Sequence, residues 1–323
     1  MIYKKELLTL YYEMLRIRKV EEKISEKYSE QEMRCPIHLS IGQEAVAVGV
    51  SNNLKKKDKV LSTHRAHAHY LAKKGNLKKM IAELYGKITG CAQGKGGSMH
   101  LIDKINGFVA AVPIVASTIP ISVGLSWSLK LKNKNNIVCV YFGEGATEEG
   151  VFFESLDFSI LKELPMLFVC ENNKYSVYTD ISERQSNLRN ITKLVRAHGI
   201  KSFSCDGNDV IKINQLVKNS INYIKNNKKP VFIEFYTYRW LEHCGPNWDD
   251  NLGYRPRGEL NRWMKKDPIK KLERILNKKK YLNNKIINNM TIKIDKEIND
   301  AFNYAKKSKF PNKNNLFKHL YKQ

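Results

Sequence analysis

No run of this 323-residue chain comes near the ~20 apolar residues that a membrane-spanning helix needs. That argues against a helical membrane protein, and no membrane partner is expected. The opening stretch MIYKKELLTLYYEMLRIRKVEEK has neither an apolar core segment nor a small-residue cleavage site. It patterns as an amphipathic helix rather than a signal peptide. Six cysteines, at 35, 91, 139, 170, 205 and 244, show no paired spacing, and two lie inside apolar strand patterns. They argue against a disulfide scaffold and fit a reduced, cytoplasmic chain. Acids are scarce as well. Against 56 Lys and Arg stand 32 Asp and Glu, a formal charge of +24. Such an excess can serve nucleic acid, a membrane surface or an acidic partner. Here it lies largely in Lys-Asn tracts such as 132–136 and 277–280, where arginine is sparse and aromatics are not interleaved. It reads as decoration of solvated faces, and no nucleic-acid partner is expected.

What is present suffices for a real core, since 42% of the residues are hydrophobic. Residues 4–30 pattern as a helix. A small-residue helix starts at about Gln43, a short strand falls at 60–62, and 77–85 reads helical. GCAQGKGGSMHLID has no periodicity, and loops of that length tend to be functional. TIPISVGLSWSLKLK reads as a helix with small residues on one side, suited to close packing. The pattern then becomes regular: strand 137–142, helix 149–162, strand 165–170, a polar loop at 171–190, helix 191–198, strand 200–204, helix 210–225 and strand 231–236. Such alternation predicts an α/β fold, mainly a parallel sheet with helices on both faces. No linker and no internal repeat divides the chain. The expectation is a single domain over 1–323 with an N-terminal helix and a helical tail from about 260 to 323. Asp267 and Pro268 open one tail helix, as a cap and a first-turn proline.

Ligands of such sheets bind outside the carboxyl ends of the strands. That places 143–146, 171–175 and the stretch after 238 on one rim. Gly143-Glu144-Gly145 looks like a phosphate loop, yet it carries a carboxylate at its tip. Glu144 would repel a diphosphate unless a divalent cation stood between them. The alternative is that Glu144 caps the following helix. Glu148 and Glu149 read as first-turn charges of that helix. The next rim loop, Glu171-Asn172-Asn173-Lys174-Tyr175, supplies amide and carbonyl oxygens, which are proper Mg²⁺ ligands. It favours the cation.

Gly-Glu-Gly, 26 further residues and then Asn-Asn resembles the signature of thiamine-diphosphate enzymes. More narrowly, the chain resembles the alpha subunits of the first component of 2-oxo acid dehydrogenases, of pyruvate, branched-chain and acetoin types. HLSIGQEAVAVG, THRAHAHYLAKKG, AELYGKITGCAQGKGGSMHL, the long stretch from YFGEGATEEG to ENNKYSVYT, CDGNDV and PVFIEFYTYRWLEH carry the resemblance, in order, over about residues 4–275. It implies a thiamine-diphosphate-binding fold. It assigns Mg²⁺ to Glu144, Asn173 and the carbonyl of Tyr175, and the diphosphate to Gly145, Ala146 and Arg65. His64, adjoining Arg65, stands where such subunits commonly have tyrosine. Val115 matches the apolar residue that holds the cofactor bent. Pro113 departs from the small or polar residues usual there. His38 and His243 match two histidines near the reacting carbon, where an imidazole can move a proton. His67 and His69 read as structural, and His100 is open between the two roles.

The implied activity is decarboxylation of a 2-oxo acid, pyruvate first, with transfer of the acyl group to a lipoyl carrier. Leu241, Glu242 and Cys244 depart from the usual His-x-His-Ser. That argues against phosphorylation at this position and keeps open a carboligase or lyase without a lipoyl acceptor. Tyr254-Arg255 still resembles the arginine-bearing loop that follows. The chain lacks the glutamate that such enzymes set against the cofactor's pyrimidine. A beta subunit would supply it, in an α2β2 heterotetramer, with a lipoyl acyltransferase as a further partner.

Overall fold

A computed structural model describes residues 3–319; residues 1–2 and 320–323, the ends of the expected domain and tail, lie outside it. In chain order the elements begin with α1 (Lys4–Tyr28), α2 (Glu44–Ser51), β1 (Lys59–Ser62), α3 (His67–Ala72), α4 (Leu77–Leu84), β2 (Phe108–Ala111) and α5 (Thr118–Leu131). The regular half follows: β3 (Val138–Gly143), α6 (Gly150–Leu161), β4 (Met166–Asn172), a small hairpin of β5 (Tyr175–Ser176) and β6 (Thr179–Asp180), α7 (Ile181–Arg184), α8 (Ile191–Ala197), β7 (Lys201–Asp206), α9 (Val210–Asn227) and β8 (Val231–Tyr236). Three helices close the chain: α10 (Glu259–Met264), α11 (Pro268–Lys278) and α12 (Asn284–Lys307).

Six strands form one parallel sheet in the order β2-β1-β3-β4-β8-β7. Successive side chains of a strand point to opposite faces, and here they feed two separate cores. Cys139 and Tyr141 of β3 join one core with α1, α2, α3, α4, α9, α11 and α12. Val138, Val140 and Phe142 join the other, with α5, α6 and α8. Both faces are therefore covered, as the near-continuous apolar strands demanded.

Several elements differ from the sequence expectation. β2 was not anticipated. The polar stretch 171–190 is partly ordered by the β5–β6 hairpin and α7. A one-turn 3₁₀ helix over Glu144–Glu148 intervenes before α6, so Glu148 is not in that helix's first turn. Glu149 stands at the N-cap of α6 without a side-chain capping bond. The tail is no appendage: Ile294, Ile298, Phe302 and Ala305 of α12 are buried in the main core. Asp267 does cap α11, accepting from the Ile269 amide at 2.8 Å, with Pro268 in the first turn.

Candidate active site

Register across the sheet positions the rim. Gly143 pairs with Glu171, so β3 and β4 end side by side and deliver Glu144 and Asn173 to neighbouring points. β1 ends one strand over, followed directly by Thr63, His64 and Arg65. Past β8, two main-chain bonds lay the chain along the α1–α2 loop: Trp240 N to Ile41 O at 3.0 Å, and Gly245 N to Ile37 O at 2.9 Å. That alignment brings His243 against His38. One pocket at the carboxyl ends is lined by His64, Arg65, Val115, Glu144, Gly145, Ala146, Asn173, Tyr175 and His243, among others. His38 lies behind its lining, 4.7 Å from His64 and 5.1 Å from His243 between ring centroids.

Each group has a defined electrostatic state. The Glu144 carboxyl is raised above its ordinary value by burial, against the pull of Arg184 and of backbone amides. Arg184, on α7, donates to Glu144 Oε1 at 2.7 Å and also pairs with Glu148. Asn173 Oδ1 accepts from the Tyr175 amide at 3.1 Å, which holds its oxygen toward the loop. Arg65 is anchored by the carbonyls of Leu39 (2.6 Å) and His243 (3.0 Å). Burial lowers its guanidinium to about 10, so it stays charged at neutral pH. The three histidines are neutral there. Burial first, and Arg65 second, depress His38 to about 2 and both His64 and His243 to about 3.

Room for a ligand is visible in the backbone. A Cβ on Gly143 would meet nothing within 4 Å, whereas one on Gly145 would come within 3.3 Å of the Ser176 side chain and 3.4 Å of Arg184. Gln43 is missing from the sequence expectation. Its amide is buried in the pocket lining, and neither its nitrogen nor its oxygen has a partner among the described residues. A buried amide without partners costs stability unless a ligand satisfies it. Acidic, amide and arginine groups on one rim are a donor set that suits a diphosphate with a hard cation. Arg184 also escaped the sequence reading, because its meaning lies in the two acids it faces, Glu144 and Glu148.

Other histidines lie elsewhere. His67 sits between Glu21 (3.2 Å) and Ser98 (2.8 Å), and His69 between Ser62 (2.7 Å) and Glu171 (3.2 Å). These buried pairs fit the structural role expected of them. His100 is exposed outside the pocket, with Nδ1 2.9 Å from Gly96 O. Arg255 is fully engaged by Asp249 and by the carbonyls of Arg239 and Leu241. It braces its own loop and presents no free guanidinium to a substrate.

Fold and rim together define an α/β enzyme subunit whose site lies at the carboxyl ends of β1, β3 and β4. Residues 12–314 match the family described as dehydrogenase E1 component, and the chain belongs to it. Within that family it is of the alpha-subunit kind of the 2-oxo acid dehydrogenases. It is 32% identical to the pyruvate dehydrogenase E1 component subunit alpha of Rickettsia bellii, covering 98% of this chain and 96% of the relative. The corresponding subunit of Porphyra purpurea is 32% identical, with 98% and 93% covered. At the same identity stands the alpha subunit of acetoin:2,6-dichlorophenolindophenol oxidoreductase from Bacillus subtilis, with 97% and 93% covered. Family membership implies use of thiamine diphosphate, and alpha subunits imply a beta-subunit partner. No described helix is long and apolar enough to cross a membrane.

Proposed function

We propose that the chain is the alpha subunit of a cytoplasmic, thiamine-diphosphate- and Mg²⁺-dependent complex that decarboxylates pyruvate and passes the acyl group to a lipoyl acyltransferase. The observation that carries this reading is the convergence of Glu144, Asn173, Tyr175, Arg65, Val115 and His243 on one pocket. Glu144, Asn173 and the Tyr175 carbonyl would hold Mg²⁺, whose preference is for a few protein oxygens beside phosphate oxygens. Gly145 and Ala146 would lie along the diphosphate, with His64 and Arg65 at its charge. Val115 would support the bent cofactor. When bound, the cofactor supplies a nucleophilic carbon and an electron sink for the departing carboxylate.

His38 and His243 would hold or move the proton at the reacting carbon. Their low pKa values owe part of their depression to Arg65. An anion on Arg65 removes that cause and brings both imidazoles closer to working range. Completion of the site by a beta subunit, in an α2β2 heterotetramer, is supported by apolar side chains of the pocket lining that are themselves exposed, Ile114 and Val115 among them.

The test is the purified alpha–beta pair with pyruvate, a lipoyl domain, thiamine diphosphate and Mg²⁺. Reductive acylation of the lipoyl group is expected. Carbon–carbon bond formation with an aldehyde, without acylation, would replace the reading by a carboligase or lyase. The 241–245 loop motivates that second reading. There Cys244 is exposed, and Glu242 is turned back to accept from Asn247 N at 2.8 Å.

A further inference from the structure

His38, His64 and His243 form a three-histidine cluster. One ring nitrogen from each lies within 4.8 Å of the other two. Three positively charged imidazoles could not crowd so closely, and burial keeps all three neutral. Each therefore offers a free lone pair at neutral pH. Neither His38 nor His64 forms a hydrogen bond among the described residues, and His38 Nδ1 is buried without a partner. Arg65 Nη2 faces His243 Nδ1 at a long 3.4 Å, so ligation through Nε2 takes the tautomer with the proton on Nδ1 and gives up that contact. No carboxylate belongs to the cluster. Imidazoles alone suit zinc, copper or nickel and are poor ligands for Mg²⁺.

We propose that His38, His64 and His243 form a second metal site, which binds a divalent transition ion such as Zn²⁺ through three imidazoles. The fourth position opens to the pocket, as in three-histidine zinc sites that keep one coordination place free. Tetrahedral zinc at about 2.1 Å from each nitrogen needs nitrogens about 3.4 Å apart, so the rings close by roughly 1.4 Å at most on binding. Arg65 opposes a cation here. Its guanidinium is committed to two carbonyls, however, and Glu21 and Glu171 offset part of its charge. The consequence rests on the function proposed above: zinc would withhold His38 and His243 from the reacting carbon and act as an inhibitor. The binding itself does not depend on that reading.

Full-length chain is titrated with Zn²⁺ against a chromogenic chelator, and Co²⁺ is added separately to look for the visible absorption of a tetrahedral site. One ion per chain is expected. His64→Phe should weaken binding at least tenfold and abolish the Co²⁺ band, and His64→Asn should do the same if the phenylalanine variant does not fold. Glu144→Gln should keep the zinc stoichiometry while losing Mg²⁺-dependent affinity for thiamine diphosphate, which separates the two sites. Unchanged zinc binding in both His64 variants, or its loss in Glu144→Gln, would overturn the proposal. Retained cofactor affinity in Glu144→Gln would instead overturn the Mg²⁺ assignment and leave the zinc site standing.

Discussion

Glu144 is buried at 2% exposure, and its acidity is set by a contest between desolvation and Arg184. Arg184 bonds to Oε1 of that carboxyl. Strain marks the same rim. Val177, which lines the pocket, has φ of 55°, and Ala116, beside Val115, has φ of 62°. Non-glycine residues adopt this left-handed region at a cost, and β-branched ones rarely. The histidines make the residue-scale prediction. His64 has a folded pKa of about 3, below the ordinary value of about 6.5. Between those values the unfolded chain binds a proton that the folded chain does not. Stability therefore rises with pH across about 3 to 6.5 and gains nothing further from this group above it. On moving from pH 7.5 to 5.5 the wild type should lose stability, and His64→Phe should lose less by up to about 1.4 kcal/mol. Urea unfolding at both pH values measures the difference. Equal losses would show that His64 is not buried neutral.

The elements that carry the rim were legible where local pattern and tertiary role coincide. β3, α6 and β4 repeat as strand, helix and strand, and the spacing from Gly145 to Asn172 placed both loops. β2 was not legible: Phe108–Ala111 is four residues long, and its pairing with β1 is a tertiary fact. α12 opens on Asn and β-branched residues of modest helix propensity, and it is the core contacts of Ile294, Ile298 and Phe302 that hold it. The Lys-Asn bias is partly structural too, since Asn76, Asn190 and Asn283 cap α4, α8 and α12. Gln43 and Arg184 were missed because their meaning lies in which groups they face. The N-terminal helix is tied to the site by a buried network. Arg18 Nε donates to Glu44 Oε1 at 2.5 Å, Nη1 reaches Asp267 at 3.4 Å, and the guanidinium lies 4.2 Å from the Trp240 ring. Arg18→Ala leaves the Glu44 carboxylate buried and unpaired, and should cost about 3–5 kcal/mol. Lys23→Ala breaks only an exposed pair with Glu26, and should cost under about 0.5 kcal/mol. Urea midpoints of the two variants test this. Equal shifts would mean that the buried network contributes no more than a surface ion pair.

At the scale of the whole molecule, one face contradicts the rest of the surface. Charged residues make up 27% of the chain, yet none occurs from Gly107 to Leu129. Within that segment the chain passes from β2 past the pocket and into α5. Ile121, Trp127 and Leu131 are exposed on α5, and Leu161 is exposed at the end of α6. Gly124 lies on the same stripe, where a Cβ would meet nothing within 4 Å, so a neighbouring helix can approach closely. Exposed apolar side chains along one helix of an otherwise strongly charged protein point to an interaction surface. Its position beside Ile114 and Val115 means that a partner seated there would also wall the pocket. That partner is expected to be the beta subunit, and the stripe should carry the anchors of the interface. Ile121→Glu tests this without disturbing the core. At an exposed position it should change the stability of the isolated chain by no more than about 0.5 kcal/mol. A charge buried in an apolar interface, by contrast, should abolish co-purification with the beta subunit and shift the species in light scattering to the free alpha chain. Thiamine-diphosphate-dependent turnover of pyruvate should fall with assembly. If the variant still assembled fully, α5 would not lie in the interface, and a beta subunit would have to approach the pocket from another side.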